Sequence, residues 1–370
     1  MEKFRDMKVR KKANIIMIRN LVLFVLLIVF TFWYIFKDQD INELINTITV
    51  SDKKYVFIGL LLMFFSYMME SINIRSILIS LGEKKFSILR AFKYTAIGAF
   101  FSAITPGSTG GQPAEVYYMT KDGIKATNGT LAMLVELCGF QICSIFLSIL
   151  CAILNPSLLK DGIIWFYIFG IVANGCVLTG MLLGMFSKKI TKKFIEFIIK
   201  LMKKMRIKGY EKKKEKLEEG IAQYIESAKF IKENKIVFIK GVLRVFVQVA
   251  LYHSIPYFIY RSFGFNSLSY FDLFALQSVL YTTVAAIPVP GSIGVSETLF
   301  MKLYGIAFGK SLLSGAMLLF RFVSFYIYIM IFSVIVIVNA TKAKRIIGDI
   351  DKSVIEIEKD FDKKNTLVYS

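Results

Sequence analysis

The chain has 370 residues, 55% of them apolar, with a formal charge of +20 and a single histidine. That hydrophobicity places it in the membrane class and sets aside the two or three soluble domains its length would otherwise suggest. Lys and Arg fall between the apolar runs, with no aromatic-plus-basic module, so the charge reads as topology beside anionic lipid and nucleic acid is excluded as a partner.

Residues 1–19 form a basic stretch, predicted to be cytoplasmic, and Leu21 to Phe36 a first crossing helix. Trp33, Tyr34, Ile35, Phe36 and Lys37 stand where a signal peptide would carry small residues, so this helix is expected to be retained. The mixed segment Lys37 to Lys54 suits an outside loop. Tyr55 to Ser80 returns and meets Lys84, Lys85, Arg90 and Lys93. Ala91 to Lys125 then has to begin and end in the cytoplasm, yet Ala91 to Thr105 is shorter than the ~20 residues a crossing needs, which predicts a re-entrant hairpin. Gly129 to Leu154 exits and Gly162 to Phe186 re-enters. The polar stretch 187–235, with 16 Lys or Arg against 7 Glu, is a cytoplasmic insert. Ile236 to Tyr260 exits, Tyr270 to Gly309 makes a second hairpin broken at Pro288-Val289-Pro290-Gly291, and Leu312 to Val338 returns before Lys342, Lys344 and Arg345.

Both hairpins turn at the same pattern, Pro106-Gly107-Ser108-Thr109-Gly110 and Pro290-Gly291-Ser292-Ile293-Gly294, 184 positions apart. The expected fold is an all-α polytopic membrane protein. It has six crossing helices and two re-entrant helical hairpins in an inverted repeat, with a first membrane repeat at 20–154, a second at 155–340 and a cytoplasmic tail at 341–370. Such breaks at matched positions point to a midplane site, because non-helical backbone at membrane depth has to line a cavity or be buried in protein. Half-helices starting near Gln112-Pro113 and Gly294-Val295 would aim their N-termini at an anionic group such as a lipid phosphate. In that register Glu115 and Glu297 each follow the cap by three residues, where they either support their own helix start or meet a headgroup.

Glu70, Glu136, His253 and Arg321 lie inside crossing segments, where ionisable groups are costly enough to be functional candidates. The repeat offset pairs Glu70 with His253 and Glu136 with Arg321. Two alternatives stand, residues lining one cavity and buried structural pairs, with a Glu136–Arg321 ion pair as one candidate. Arg75 and Arg244 are nearer the cytoplasmic ends and can snorkel. One histidine rules out a triad or a two-histidine metal site, and Cys138, Cys143, Cys151 and Cys176 lack metal-binding spacing; no metal or cofactor is called for. In the insert, Ile190, Phe194, Phe197, Ile198, Leu201 and Met205 share one face of a basic amphipathic helix over 188–206, and Leu217, Ile221, Ile225 and Ala228 stripe a second. These helices either dock on anionic lipid or a partner enzyme, or cover the bundle as connectors.

The stretch Thr105-Pro106-Gly107-Ser108-Thr109-Gly110-Gly111-Gln112-Pro113 with Tyr117-Tyr118, and the later Pro288-Val289-Pro290-Gly291-Ser292-Ile293-Gly294-Val295-Ser296-Glu297, resemble the bacterial flippase-like family, also called the lysylphosphatidylglycerol synthase transmembrane region. The resemblance covers about residues 15 to 345 and departs from the family pattern at Ser292 and Glu115. It implies a multi-pass protein of the bacterial plasma membrane with both termini cytoplasmic. The implied work is moving a phospholipid between leaflets, lysyl-phosphatidylglycerol or a related anionic or aminoacylated lipid, and so contributing to resistance against cationic antimicrobial peptides. The substrate-binding set on this view is Pro106, Gly107, Ser108, Gly110, Gln112, Glu115, Pro290, Gly291, Ser292, Gly294, Glu297, Glu70, Glu136, His253 and Arg321. About 30 residues follow Val338, too few for a transferase domain, so transport is expected rather than catalysis. The alternatives are a membrane component of aminoacyl-phospholipid synthesis and a scaffold for a lipid-modifying enzyme. A homodimer is compatible with the sequence and unspecified by it.

Overall fold

The computed structural model describes residues 41–105, 108–159, 162–204, 210–285 and 295–339, with no strand among them. The first crossing helix, the tail, and the turn residues Pro106, Gly107, Pro290, Gly291, Ser292 and Gly294 lie outside the described residues, as does the side chain of Glu297.

Among the described residues five helices are long and apolar enough to cross a membrane, and the chain is a multi-pass membrane protein. The first of the five, α2 (Lys53–Ser80), follows a short helix α1 (Ile41–Val50). Asp52 caps α2 by accepting from Lys54 N at 2.9 Å, which satisfies one of the orphan donors of the first turn. Where the sequence predicts an outside loop, α1 forms because it has something to lean on: Ser314 Oγ donates to Glu43 Oε2 at 3.2 Å, and Thr47 packs on Gly315, where a Cβ would come within 2.5 Å of its hydroxyl. Hydropathy carries no trace of that contact.

Helices α3 (Ile88–Ile104) and α4 (Gly111–Lys121) form an antiparallel hairpin. Glycines allow the close approach: a Cβ on Gly111 would stand 2.7 Å from Gly98 O. The far ends are tied at Asp122, whose backbone carbonyl accepts from Arg90 and whose carboxylate accepts from Lys93 and, at 2.7 Å, from Tyr94. Burial pushes the Asp122 carboxyl up, but the hydrogen bonds from Lys93 and Tyr94 and the charges of Lys93 and Arg90 outweigh it and hold the group below the usual carboxylate range.

Helix α5 (Ala126–Leu154) leads through a 3₁₀ turn, Pro156–Leu159, to α6 (Ile163–Phe186). The outer face of α6 exposes Trp165, Phe166 and Phe169, as a lipid-facing helix does. On its inner face Gly170 lets the helix approach so closely that a Cβ there would meet Thr282 O at 2.6 Å, and Asn174 Nδ2 donates to that same carbonyl at 3.0 Å.

The insert folds as α7 (Lys188–Lys204) and α8 (Tyr210–Glu233). α8 is docked rather than free: Ala228 and Ile231 are buried in a cluster with Ile77, Leu131 and Met185, and Tyr224 OH donates to Gly184 O at 3.2 Å. Ser227 Oγ donates to Asn128 Oδ1 at 2.9 Å, while Asn128 Nδ2 donates to Glu83 Oε1 at 2.8 Å. One chain of bonds thus joins the insert, the foot of α5 and the loop after α2.

Helix α9 (Lys235–Ser262) packs antiparallel along α2, with Asp52 N donating to Ser262 O at 2.8 Å at one end and Gly241 against Asn73 and Ile77 towards the other. Midway, Ser66 Oγ donates to Gln248 O at 3.1 Å. Pro256 interrupts α9, removing the helical donor of the Tyr252 carbonyl. Helix α10 (Tyr270–Ala285) follows. The run Val295–Arg321 breaks at Gly309 (φ +64), a backbone conformation suited to glycine, into α11 (Thr298–Gly309) and α12 (Ser311–Asn339). A π-turn at Phe322–Tyr326 interrupts α12. Among the described residues the order long helix, short helix, short helix, long helix therefore occurs twice, as α2 to α5 and α9 to α12.

Candidate functional site

At the level of the first break a cavity of about 350 Å³ opens between α2, α3, α4, α5, α9, α10 and α12. Glu70 from α2, Glu115 from α4 and Glu136 from α5 all line it, among Tyr67, Phe140, Tyr252, Tyr281, Phe325 and Phe332. No Lys or Arg among the described residues does. A few polar groups are thus set among aromatic and apolar side chains, as in sites that orient a ligand by a few polar groups.

Each carboxylate is placed by its own helix. Glu115 is 3% exposed and sits five residues beyond the Gly110 cap, because α4 begins at Gly111 rather than at Pro113. It is thus too far along to serve the helix start, and α4 has no side-chain cap; Thr105 Oγ1 instead accepts from Gly110 N at 2.9 Å, closing the break. Across from Glu115 is Gly98, where any Cβ would run into the Glu115 carboxylate, so only a glycine on α3 leaves room for it. Glu136 accepts from Asn73 Nδ2, and Asn73 Oδ1 in turn accepts from Arg244 Nη1 at 3.4 Å. Glu70 accepts from Gln248 Nε2 at 3.3 Å. Glu115 Oε2 and Glu136 Oε1 are buried with no hydrogen-bond partner among the described residues.

The remaining predicted residues are placed as follows. Ser108 (φ +55) and Gln112 line the cavity, and Gly110 lies beside it in the break. His253 is fully buried, its Nδ1 3.0 Å from Ser278 Oγ and its ring among Phe274, Tyr252 and Tyr281, so it stands behind the cavity wall. The Arg321 guanidinium lies 5.4 Å from the Phe325 ring. Among the described residues no ion pair joins it to Glu136, whose carboxylate is turned to Asn73 instead. Arg75 does not reach for solvent alone: its Nε donates to Phe86 O at 2.6 Å.

Asn73, Gln248, Tyr67, Tyr252 and Tyr281 belong to the site and go unnoticed in the sequence, since a neutral amide or phenol in an apolar run breaks no rule. A polar side chain on the α2 face that meets α9 was the available signal, and it becomes visible only once the pairing of those helices is known. No cluster of His, Cys, Asp or Glu among the described residues has the arrangement to hold a metal ion.

The family model described as lysylphosphatidylglycerol synthase TM region matches residues 19–331. No curated protein matches the chain.

Proposed function

We propose, from the premise that the chain belongs to the lysylphosphatidylglycerol synthase TM region family, that it carries a phospholipid with an amine-bearing headgroup from one leaflet to the other. The observation that carries this reading is the composition of the cavity: three carboxylates from three helices, aromatic faces between them, and no lining Lys or Arg among the described residues. Carboxylates with aromatic rings recognise ammonium groups and repel bare anions. The sequence-level expectation of an anionic group is met differently on this view. The uncapped first turn of α4 takes the lipid phosphate, and the carboxylates beyond it take the amine.

The twofold order of elements supports an inverted repeat in which α3–α4 and α10–α11 are re-entrant hairpins closing the cavity alternately from the two sides. In this arrangement the Asp122 end and the α7–α8 insert face the cytoplasm, in line with the basic charge of 187–235. α7, with Lys188 and Lys189 exposed, lies on anionic lipid at that surface. Moving an aminoacylated lipid outward in a bacterial plasma membrane would lower its negative surface charge and weaken cationic antimicrobial peptides.

The test is translocation in proteoliposomes carrying lysyl-phosphatidylglycerol, read by the accessibility of its amines to a membrane-impermeant amine reagent, with phosphatidylglycerol vesicles and a headgroup label as the comparison. Protein-dependent movement of the amine lipid above that of the anionic one is expected. Rates equal to protein-free vesicles for both lipids overturn the proposal.

A further inference from the structure

Three acidic side chains share a small, largely apolar space, and their surroundings are unequal. Asn73 serves Glu136 and is itself held by the Arg244 guanidinium, so a negative charge on Glu136 is supported through the amide. Gln248 serves Glu70. Glu115 has neither: its Oε2 is buried with no partner among the described residues, and the Gly98 backbone closes the space behind it. The other titratable groups around the three are Tyr67 on α2, Tyr252 on α9, Tyr281 on α10, and Arg321 and Tyr328 on α12; α3 contributes only Gly98, Ala99, Ser102 and Ala103 to the wall. Of the two arginines, Arg244 reaches the site only through Asn73, and Arg321 stands against Phe325. Neither is among the lining residues.

Like charges this confined do not all ionise without a counter-charge, and they titrate as one coupled set. No metal-holding arrangement among the described residues supplies that charge. A proton or the headgroup itself can do so.

We infer that the cavity works as an exchanger, in which Glu115 carries a proton while the cavity is empty and gives it up as a lipid ammonium enters. This exchange rests on the proposed function, since it needs an amine headgroup to bind. The balance is one for one: the Glu115 O–H proton leaves to water, the entering ammonium donates a hydrogen bond to the resulting carboxylate, and the charge of the occupied site equals that of the empty one. Carriage of the amine in one direction is thereby tied to a proton moving in the other. Glu136, held by Asn73, is the fixed charge, and Glu115 is the exchanging one.

The experiment uses the full chain in detergent with dioctanoyl lysyl-phosphatidylglycerol between pH 5 and 6.5, where both amines of the probe stay charged. Binding is followed calorimetrically and proton release by an indicator dye in weak buffer. One proton should appear per lipid bound, and the affinity should rise about tenfold per pH unit, the slope that linkage gives for one released proton. Glu115→Gln should bind the probe with no proton release and no pH slope. Binding by the wild type without release and without slope overturns the exchange and leaves lipid carriage standing. Release that persists in Glu115→Gln overturns the assignment to this residue. Absence of binding by the wild type overturns both proposals, and the wild-type titration decides the matter even where the variant does not fold.

Discussion

Helices α2 to α5 and α9 to α12 repeat one order of elements but carry different chemistry. The first set turns Glu70, Glu115 and Glu136 into the cavity, whereas the second answers Glu70 with His253, locked onto Ser278 behind the wall, and Glu136 with Arg321, which lies on Phe325. Among the described residues the first set thus contributes carboxylates to the cavity and the second contributes aromatic wall and Gln248. Ionisable residues at matched positions in a membrane are therefore not equal candidates, because what decides is whether the helix face they occupy opens on the break.

That contrast can be broken by substitution. The largest effect is expected at Gly98→Leu, whose side chain would enter the space of the Glu115 carboxylate; transport should vanish, and even Gly98→Ala should lower the initial rate by more than ~10-fold, because a site displaced on that scale loses its alignment. Next comes Glu136→Gln, which removes the charge that Asn73 supports. Its vesicle assay should show a loss of ~10-fold or more, the size of one charge-assisted contact. In the second half the balance should reverse: Ser278→Ala strips a buried hydrogen bond from His253 and should cost about 1–3 kcal/mol of stability, read as a lower thermal midpoint in detergent, with transport within about twofold of wild type. A transport defect at Ser278 larger than the one at Glu136 would erase the distinction between the halves.

The smallest effect is expected at Asp122→Asn, outside the cavity. The carboxyl is held below its ordinary range in the folded protein, so its contribution is fully present above the ordinary value of about 4 and is lost as pH falls through the lowered one. The Asp122 side chain keeps 28% of its surface exposed, which limits the effect to ~1 kcal/mol or less. Wild type and variant should differ in thermal midpoint at pH 7 and converge at pH 2 to 3.

Much of this architecture is legible from hydropathy and charge. Runs such as Gly129 to Leu154 are long enough to span, and Pro106 to Gly110 marks a break whose flank, Ala91 to Thr105, is shorter than a crossing. The start of α4 differs by two residues from the sequence reading because Pro113 marks a first turn without marking which position of it, and that shift decides between the two alternatives left open for Glu115, placing it on the cavity wall and not at the helix start. The docking of α8 is hidden for another reason. Ser227 and Asn128 meet 99 positions apart, and no local pattern encodes a contact between a polar insert and the foot of a span. The amide partners Asn73 and Gln248 share that fate, since their role exists only where α2 meets α9.

The π-turn at Phe322–Tyr326 gives α12 one residue more than an α-helix of the same rise would hold. Its two ends are therefore out of phase by about 100° with what a plain helix would present. Ser324, Phe325, Ile329 and Phe332 reach the cavity, and Tyr328 OH reaches Leu60 O at 2.5 Å, only with that extra residue counted in. Chain length at this point thus acts as an angular setting. Deleting a single residue from the turn would change no chemistry and would still rotate an entire wall of the cavity away.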